Sequence, residues 1–479
     1  MITIRWPWEK PYYEEITEQL APKVETQEEM IVRLVQNHQK DIERISTGQR
    51  YYDKDNDIYR QKYKYDLDGN IDIDKPDWRI TTNYHQNLVD QKVAYLVTNP
   101  VSYSCENEKV LDTIHQVLDN RWDNELIDVL TAASNKGVEW IQPYIDENGD
   151  FKLFRVPAEQ SIPIWTDSKR DTLQAFIRVF KSNDETKVEY WTDTDVTYYV
   201  YENGSLINDY YYGENNKQTH FSTGSWGRVP FIPFKNNSEE ASDIWQYKTI
   251  IDAIDKRLSD TQNMFDESAE LIYILRGYEG ENLKEFMRGL KYYKAINVDS
   301  EGGVETIQVE VPVASTKEYL DMMRQNIMEF GQGVDFQTDK FGSAPSGIAL
   351  KFLYGNLDLK ANKLKNKATV AIQELIEFIV DFYKLKIDPK DIEITFSLNR
   401  MMNDLESSQI AVQSTGILSK ETIVKHHPWV DDPTAELERI DQEQMEYNQQ
   451  LPDIDDNGGD VNAQPNQQQG QQKQQEQDD

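Results

Sequence analysis

Apolar residues fall along this chain in three successive rhythms: helical, then two-residue, then helical again. Met30, Ile31, Leu34, Val35, Ile42 and Ile45 recur at helical spacing across residues 26–46. Residues 50–78, rich in Tyr and Asp, predict an extended or hairpin connection. Asn83 stands where it would cap a helix carrying Leu88, Val89, Val93 and Leu96, which Asn99-Pro100 would stop. A further helix is expected over about 109–134. After Gly137 the apolar positions alternate: VEWIQPYI and FKLFRV flank residues 146–150, while VTYYVYE and SLINDYY flank Asn203-Gly204. Asn-Gly between such runs favours a tight hairpin, so residues 138–234 predict a largely antiparallel sheet.

Helical spacing returns near Asp243, where Ile244, Tyr247, Ile251, Ile254 and Leu258 mark one face. Across 271–312, LIYILRGY and KYYKAINV predict strands around a short helix at 281–290, followed by the Gly302-Gly303 turn and VETIQVEV. A helix over 316–330 then enters a loop with Gly331, Gly333, Gly342, Pro345 and Gly347, which no regular element should cross. Residues 347–384 hold no proline, enough for a helix of roughly 57 Å at about 1.5 Å per residue. Its first half carries Lys351, Lys360, Lys363, Lys365 and Lys367. Its second half is apolar nearly all round (Val370, Ile372, Leu375, Ile376, Phe378, Ile379, Val380, Phe382), which predicts burial on several sides. A strand is expected at 391–398 and shorter helices to about 447. Residues 448–479 are Gln- and Asp-rich, a composition that predicts disorder.

Length and charge narrow the class. A chain of 479 residues has room for about three domains. Its net charge of -34, from 85 Asp+Glu against 51 Lys+Arg, argues against a general nucleic-acid clamp, which neutralises phosphates with Lys and Arg. The single Cys105 excludes an internal disulfide and a multi-cysteine zinc site. The opening MITIRWPWEKPYYEE lacks the apolar core of a signal peptide, and no apolar run approaches the roughly 18 residues of a membrane span. The expectation is a soluble, intracellularly made protein without a membrane partner.

Candidate chemistry is sparse. GSAPSG at 342–347 has the glycine spacing of a phosphate-binding loop, but Ile348-Ala349 stand where Lys-Ser/Thr would reach the phosphates and Mg²⁺. In the run that begins at Asp66, Gly69 falls at the fourth position, whereas a calcium loop needs glycine at the sixth. His426-His427 point in divergent directions on a helix, and no HExxH occurs. No carboxylate pair stands out as a general acid and base. The expectation is no enzyme, no catalytic residue, no metal and no cofactor. The lysine run within so acidic a chain predicts a solvated helix face, a surface for an acidic neighbouring subunit, or a basic belt toward a polyanion.

SGIALKFLYGNLDLKANKLKNK (346–367), after a glycine-rich loop and a short amphipathic helix, resembles the tailed-bacteriophage portal proteins of the SPP1 type. NYHQNLVDQKVAYLVTNPVSY (83–103) and VPFIPFKNN (229–237) resemble the same family's N-terminal helix and its exit from the sheet. The resemblance spans about 80–400 and implies an α+β portal fold. Its parts would be an N-terminal arm and helix (1–79), a wing of helices and antiparallel sheet (80–242), stem helices (243–270 and 313–330) and a small α/β clip (271–312). A tunnel loop (331–346), a long channel-proximal helix with a strand returning to the wing (347–399), a helical crown (400–447) and a disordered acidic tail (448–479) would follow. It implies a homo-oligomeric ring, usually of twelve, at one capsid vertex, through which double-stranded DNA passes without being read. Terminase, a head-tail adaptor, and capsid and scaffolding proteins would be its partners, in the virion after assembly in the host bacterial cytoplasm. Gln337, Thr338, Asp339 and Lys340 would form the tip of the tunnel loop. A capsid-associated scaffold or adaptor without a channel is the rival reading, though it does not predict a small insertion between two stem helices.

Overall fold

The computed structural model describes residues 25–65, 68–72, 75–212, 216–222, 224–268, 272–276, 292, 303–307, 311–335, 347–399, 404–425, 427, 429–430 and 433–450. They divide into two compact units, separated between residues 401 and 402.

The first unit opens on α1 (Gln27–Tyr52). The Thr26 hydroxyl accepts from the Glu29 N–H at 3.2 Å, and the Glu29 carboxylate accepts from the Thr26 N–H at 3.0 Å. That reciprocal pair satisfies two donors the first turn would leave bare. The helix outruns the expected end at 46 because its last turns are buried: at Gly48 an added Cβ would lie 1.9 Å from the Asn135 carbonyl oxygen. Only glycine allows that approach. A 3-10 turn (Asp57–Arg60) and α2 (Tyr84–Val97) follow, then β1 (Ser102–Ser104). Asn83 precedes α2 as expected, although its side chain makes no capping bond. The single helix expected over 109–134 is two, α3 (Glu108–Val117) and α4 (Asn120–Lys136). Asp119 starts the second by accepting from the Arg121 and Trp122 N–H groups at 2.9 and 3.3 Å.

Gly137, at φ +98°, turns the chain into the sheet region. Its strands are β2 (Val138–Ile145), β3 (Phe151–Val156), β4 (Ser161–Trp165), β5 (Leu173–Ser182), β6 (Glu185–Trp191), β7 (Asp195–Glu202), β8 (Ser205–Asn208), β9 (Lys217–Thr219) and β10 (Ile232–Lys235). All pair antiparallel, but as two sheets: β10-β2-β3, and β4-β5-β6-β7-β8 with β9 also on β7. Trp140 from one sheet meets Phe176 from the other edge-on at 4.9 Å, and Phe231 stacks on Phe176 at 3.8 Å. Buried aromatics thus close the seam between the sheets.

Helix α5 (Lys248–Ser268) leads to β11 (Ile272–Arg276), which pairs antiparallel with β12 (Gly303–Ile307). The helix at 281–290 and, Tyr292 apart, the expected KYYKAINV strand lie outside the described residues. Helices α6 (Val313–Phe330) and α7 (Gly347–Tyr383) follow. From Leu364 to Val380, one side of α7 fills the main core with Ala368, Ile372, Leu375, Ile376, Phe378 and Ile379. Burial there is not all round, since Val370 stands 66% exposed. The expected strand at 391–398 is β13 (Glu393–Thr395), and it pairs with β1 through Tyr103 opposite Ile394, joining neither larger sheet. The Asn399 N–H, donating to the Tyr95 carbonyl at 2.9 Å, holds it beside the end of α2.

The second unit comprises α8 (Asp404–Ser414), α9 (Lys420–Lys425) and α10 (Pro433–Gln450). Among the described residues no helix is long and apolar enough to cross a membrane.

Candidate functional site

Asp243 sits where the chain leaves β10 for α5. Asn236 and Asn237 shape that exit: Asn237 Oδ1 accepts from the N–H groups of Glu239 and Ala241, and Asn236 Nδ2 donates to the Ala241 carbonyl at 2.9 Å. Asn236 Nδ2 also donates to Asp243 Oδ1 at 2.8 Å. The carboxylate so delivered is buried, and two ammonium groups converge on it. Lys92 of α2 donates to Asp243 at 2.6 Å and to Asn236 Oδ1 at 2.8 Å. Lys360 of α7 lies 3.1 Å from the same oxygen and donates to the Gly331 carbonyl at 2.8 Å. Beside them, His85 Nδ1 and the Tyr247 hydroxyl share a hydrogen bond of 2.7 Å.

Two positive charges and one negative meet here away from water, so desolvation and attraction compete. Burial works against the charge on Asp243, but Lys360 and Lys92 outweigh it and hold the carboxyl far below the usual carboxylate range. Burial lowers Lys92 to about 8 despite Asp243, and lowers His85 to about 3, so the imidazole is neutral at neutral pH. Through this cluster α2, the sheet exit, the start of α5, the end of α6 and the middle of α7 are tied at one point.

The same helix, α2, grips both ends of the segment 336–346. On the near side the backbone of Gly331 and Gly333 runs so close to Leu88 that an added Cβ would lie 2.5 and 2.2 Å from its methyl carbons. The Val334 N–H donates to Gln91 Oε1 at 2.9 Å, and Gln91 Nε2 donates back to the Val334 carbonyl at 3.3 Å. Arg324 closes the near foot on Asp335 at 2.7 and 2.8 Å. On the far side, Tyr354 stacks on Tyr95 at 5.7 Å, and the Tyr95 hydroxyl donates to Asp358. Gln337, Thr338, Asp339 and Lys340 themselves lie outside the described residues.

The lysine run is divided by the structure. Lys360, at 5% exposure, belongs to the buried cluster, because its position on α7 faces Asp243 and Gly331. It therefore takes no place on an outward basic belt. Lys363 is exposed, and Lys365 and Lys367 are half-buried. Lys351 lies on the first turns of α7, its side chain beyond the described ones. Asp243 and Gln91 gave no signal in the sequence, and Lys92 gave one, a lysine among the apolar residues Leu88, Val89, Val93 and Leu96. Among the described residues no group of three or more His, Cys, Asp or Glu is placed to hold a metal ion.

Several helices thus meet at one buried ionic cluster, and the residues on either side of 336–346 are held by α2 and α6. The chain matches the model of the family described as phage portal protein, SPP1 Gp6-like, over residues 32–450, and it belongs to that family. It is 36% identical to the portal protein of Bacillus phage SPP1 over 95% of either chain. It is 33% identical to the portal protein of Clostridium phage phiCD119, over 83% of this chain and 91% of that one. A solved neck of an empty GTA particle, computed with C6 symmetry, covers 71% of this chain and 88% of its own at 9% identity, with a TM-score of 0.45. The family and its named relatives make this a structural component of the phage virion, in the connection between head and tail.

Proposed function

We propose that identical copies of this chain close into a ring, of twelve in the virion, at one capsid vertex, and that double-stranded DNA passes through its central channel during packaging and ejection. The observation that carries this reading is the near full-length similarity, on both chains, to a named portal protein. Charge supports it. A lumen rich in Lys and Arg would hold B-DNA non-specifically, with a Kd of roughly 10⁻⁴ to 10⁻⁶ M for each protein, and brake it. A chain at -34 supplies carboxylates that repel the phosphates instead.

In this reading, the two sheets with α1–α4 are the wing, α5 and α6 the stem, and residues 271–312 the clip on which terminase and later the head-tail adaptor dock. The helices after 400 form the crown. Capsid and scaffolding proteins contact the outside of the ring, which assembles in the host bacterial cytoplasm. The motor ATPase resides in a partner, consistent with a sequence that lacks Lys-Ser/Thr after its 342–347 glycines. Gln337, Thr338, Asp339 and Lys340 face the duplex on a loop with fixed feet. The clamps at Val334, Asp335 and Tyr354 hold the described residues on either side of them.

Electron microscopy of the purified protein tests the reading. Rings with a central hole of duplex width are expected; compact particles without a hole would overturn it.

A further inference from the structure

Among the described residues, nothing covers one side of helix α7. Phe352, Leu359, Lys363 and Val370 follow one another at seven, four and seven residues, which keeps them on one line of a helix with 3.6 residues per turn. Phe352 is 82% exposed and Leu359 61%, and Val370 continues the line beyond Lys363. The other side of the helix is spent inside the protomer, where Tyr354, Leu357, Ala361 and Leu364 are buried. Three large apolar side chains spaced along one stripe with a lysine between them match neither bulk water nor a polyanion. They match a protein surface that is partly apolar and acidic.

The same chain presents such a surface. Helix α6 packs on α5 through Leu320, Met323, Ile327 and Met328. On its outward side Glu318, Asp321, Met322, Gln325 and Glu329 are exposed, three acids around one methionine. We propose that the outward stripe of α7 seats the outward face of α6 from a second copy. Lys363, with Lys367 one turn further on beside it, faces Glu318, Asp321 and Glu329, and Leu359 covers Met322. This inference rests on the ring reading and names the contact that closes it. Because the two faces differ, each copy offers one of each, so the contact runs head to tail, the arrangement that makes a ring when its rotation closes.

Two charge reversals test the pairing. The first carries Lys363→Glu and Lys367→Glu; the second carries Glu318→Lys, Asp321→Lys and Glu329→Lys. Each alone meets its own kind with like charge and is expected to lose rings in electron micrographs, with circular dichroism and melting unchanged. Mixed in equal amounts, each variant's altered face meets the other's, and rings return with the two alternating, read by native mass spectrometry as equal numbers. Rings from either variant alone, or no recovery on mixing folded variants, would overturn the pairing while the ring reading stands. A wild-type chain without rings would overturn both. Where a reversal melts early, Leu359→Cys combined with Met322→Cys replaces it. Oxidation is then expected to give a ladder of linked copies that neither single cysteine variant gives, and a product confined to monomer would count against the pairing.

Discussion

Replacing Asp243 by Asn tests whether one buried carboxylate holds five segments together. It accepts from Lys92 at 2.6 Å and from Asn236 at 2.8 Å, with Lys360 at 3.1 Å. Asn keeps the shape and removes the charge, leaving two buried ammonium groups without a counter-ion. Breaking a buried pair by losing one partner costs about 3–5 kcal/mol, against the ~5–15 kcal/mol that holds a typical domain. The cost depends on pH, with a definite sign. Burial lowers Lys92 to about 8 from 10.5. Through that window the unfolded chain binds a proton the fold does not, so the lysine's contribution to stability rises with pH. Without Asp243 the attraction that favours the charged amine is gone, and the window opens at lower pH. Asp243→Asn is therefore expected to lower the melting temperature by several degrees near neutral pH. It should recover more steeply than the wild type between about pH 7 and about pH 9. Removing all three charges (Lys92→Met, Asp243→Leu, Lys360→Met) should restore most of the loss, since no ion is then left to bury. Thermal unfolding across pH, with amide hydrogen exchange at 331–335 as the local readout, measures each term. A single variant that melts with the wild type at every pH, or a triple variant worse than the single one, would refute the reasoning.

Glu139 is 1% exposed, and burial raises its carboxyl from 4.5 to about 7 against the pull of Lys136. The fold then holds a proton that the unfolded chain has lost, so stability falls as pH rises through that window. Glu139→Gln should gain about 2–3 kcal/mol above it and flatten the pH dependence of the urea midpoint. Gly331→Ala would set a Cβ 2.5 Å from Leu88 Cδ1 and 2.7 Å from the Ile327 carbonyl oxygen. The backbone oxygen cannot swing away, so a loss of about 1–3 kcal/mol is expected by calorimetry, and Leu88→Val should relieve it only in part. Deleting Gln337 to Lys340 while keeping the Arg324–Asp335 pair at 2.7 Å should leave rings in micrographs and depress DNA packaging. Rings lost with the deletion would make the segment structural.

Much of the architecture was legible in local pattern. The two-residue alternation after Gly137 found the antiparallel strands, and the glycines from 331 to 347 with the proline-free run after them located α7 within a residue of its end. Where local pattern misled, a distant partner decided. Apolar spacing runs unbroken across Asp119, so only the hydrogen bonds that side chain makes divide α3 from α4. Strand propensity at 391–398 was read correctly, but β13 pairs with Ser102–Ser104, a choice made by where α2 ends. For the candidate site, Lys360 and Lys363 looked alike in sequence, and one is buried beside Asp243 while the other is exposed.

By itself the sequence determined the order of helices and strands, the acidic balance, the glycine-bounded segment before the long helix, and enough residue matches to reveal the family. These are properties of neighbouring residues, fixed by backbone preference and by which side of an element is apolar. Only the tertiary structure decided that Lys92, Asp243 and Lys360 meet in one dry cluster, that Gln91 pins Val334, and that Val370 points away from the protomer's core on the apolar half of α7. The reason is physical: a charge's environment is set by what folds over it, and those covering groups come from positions hundreds of residues away.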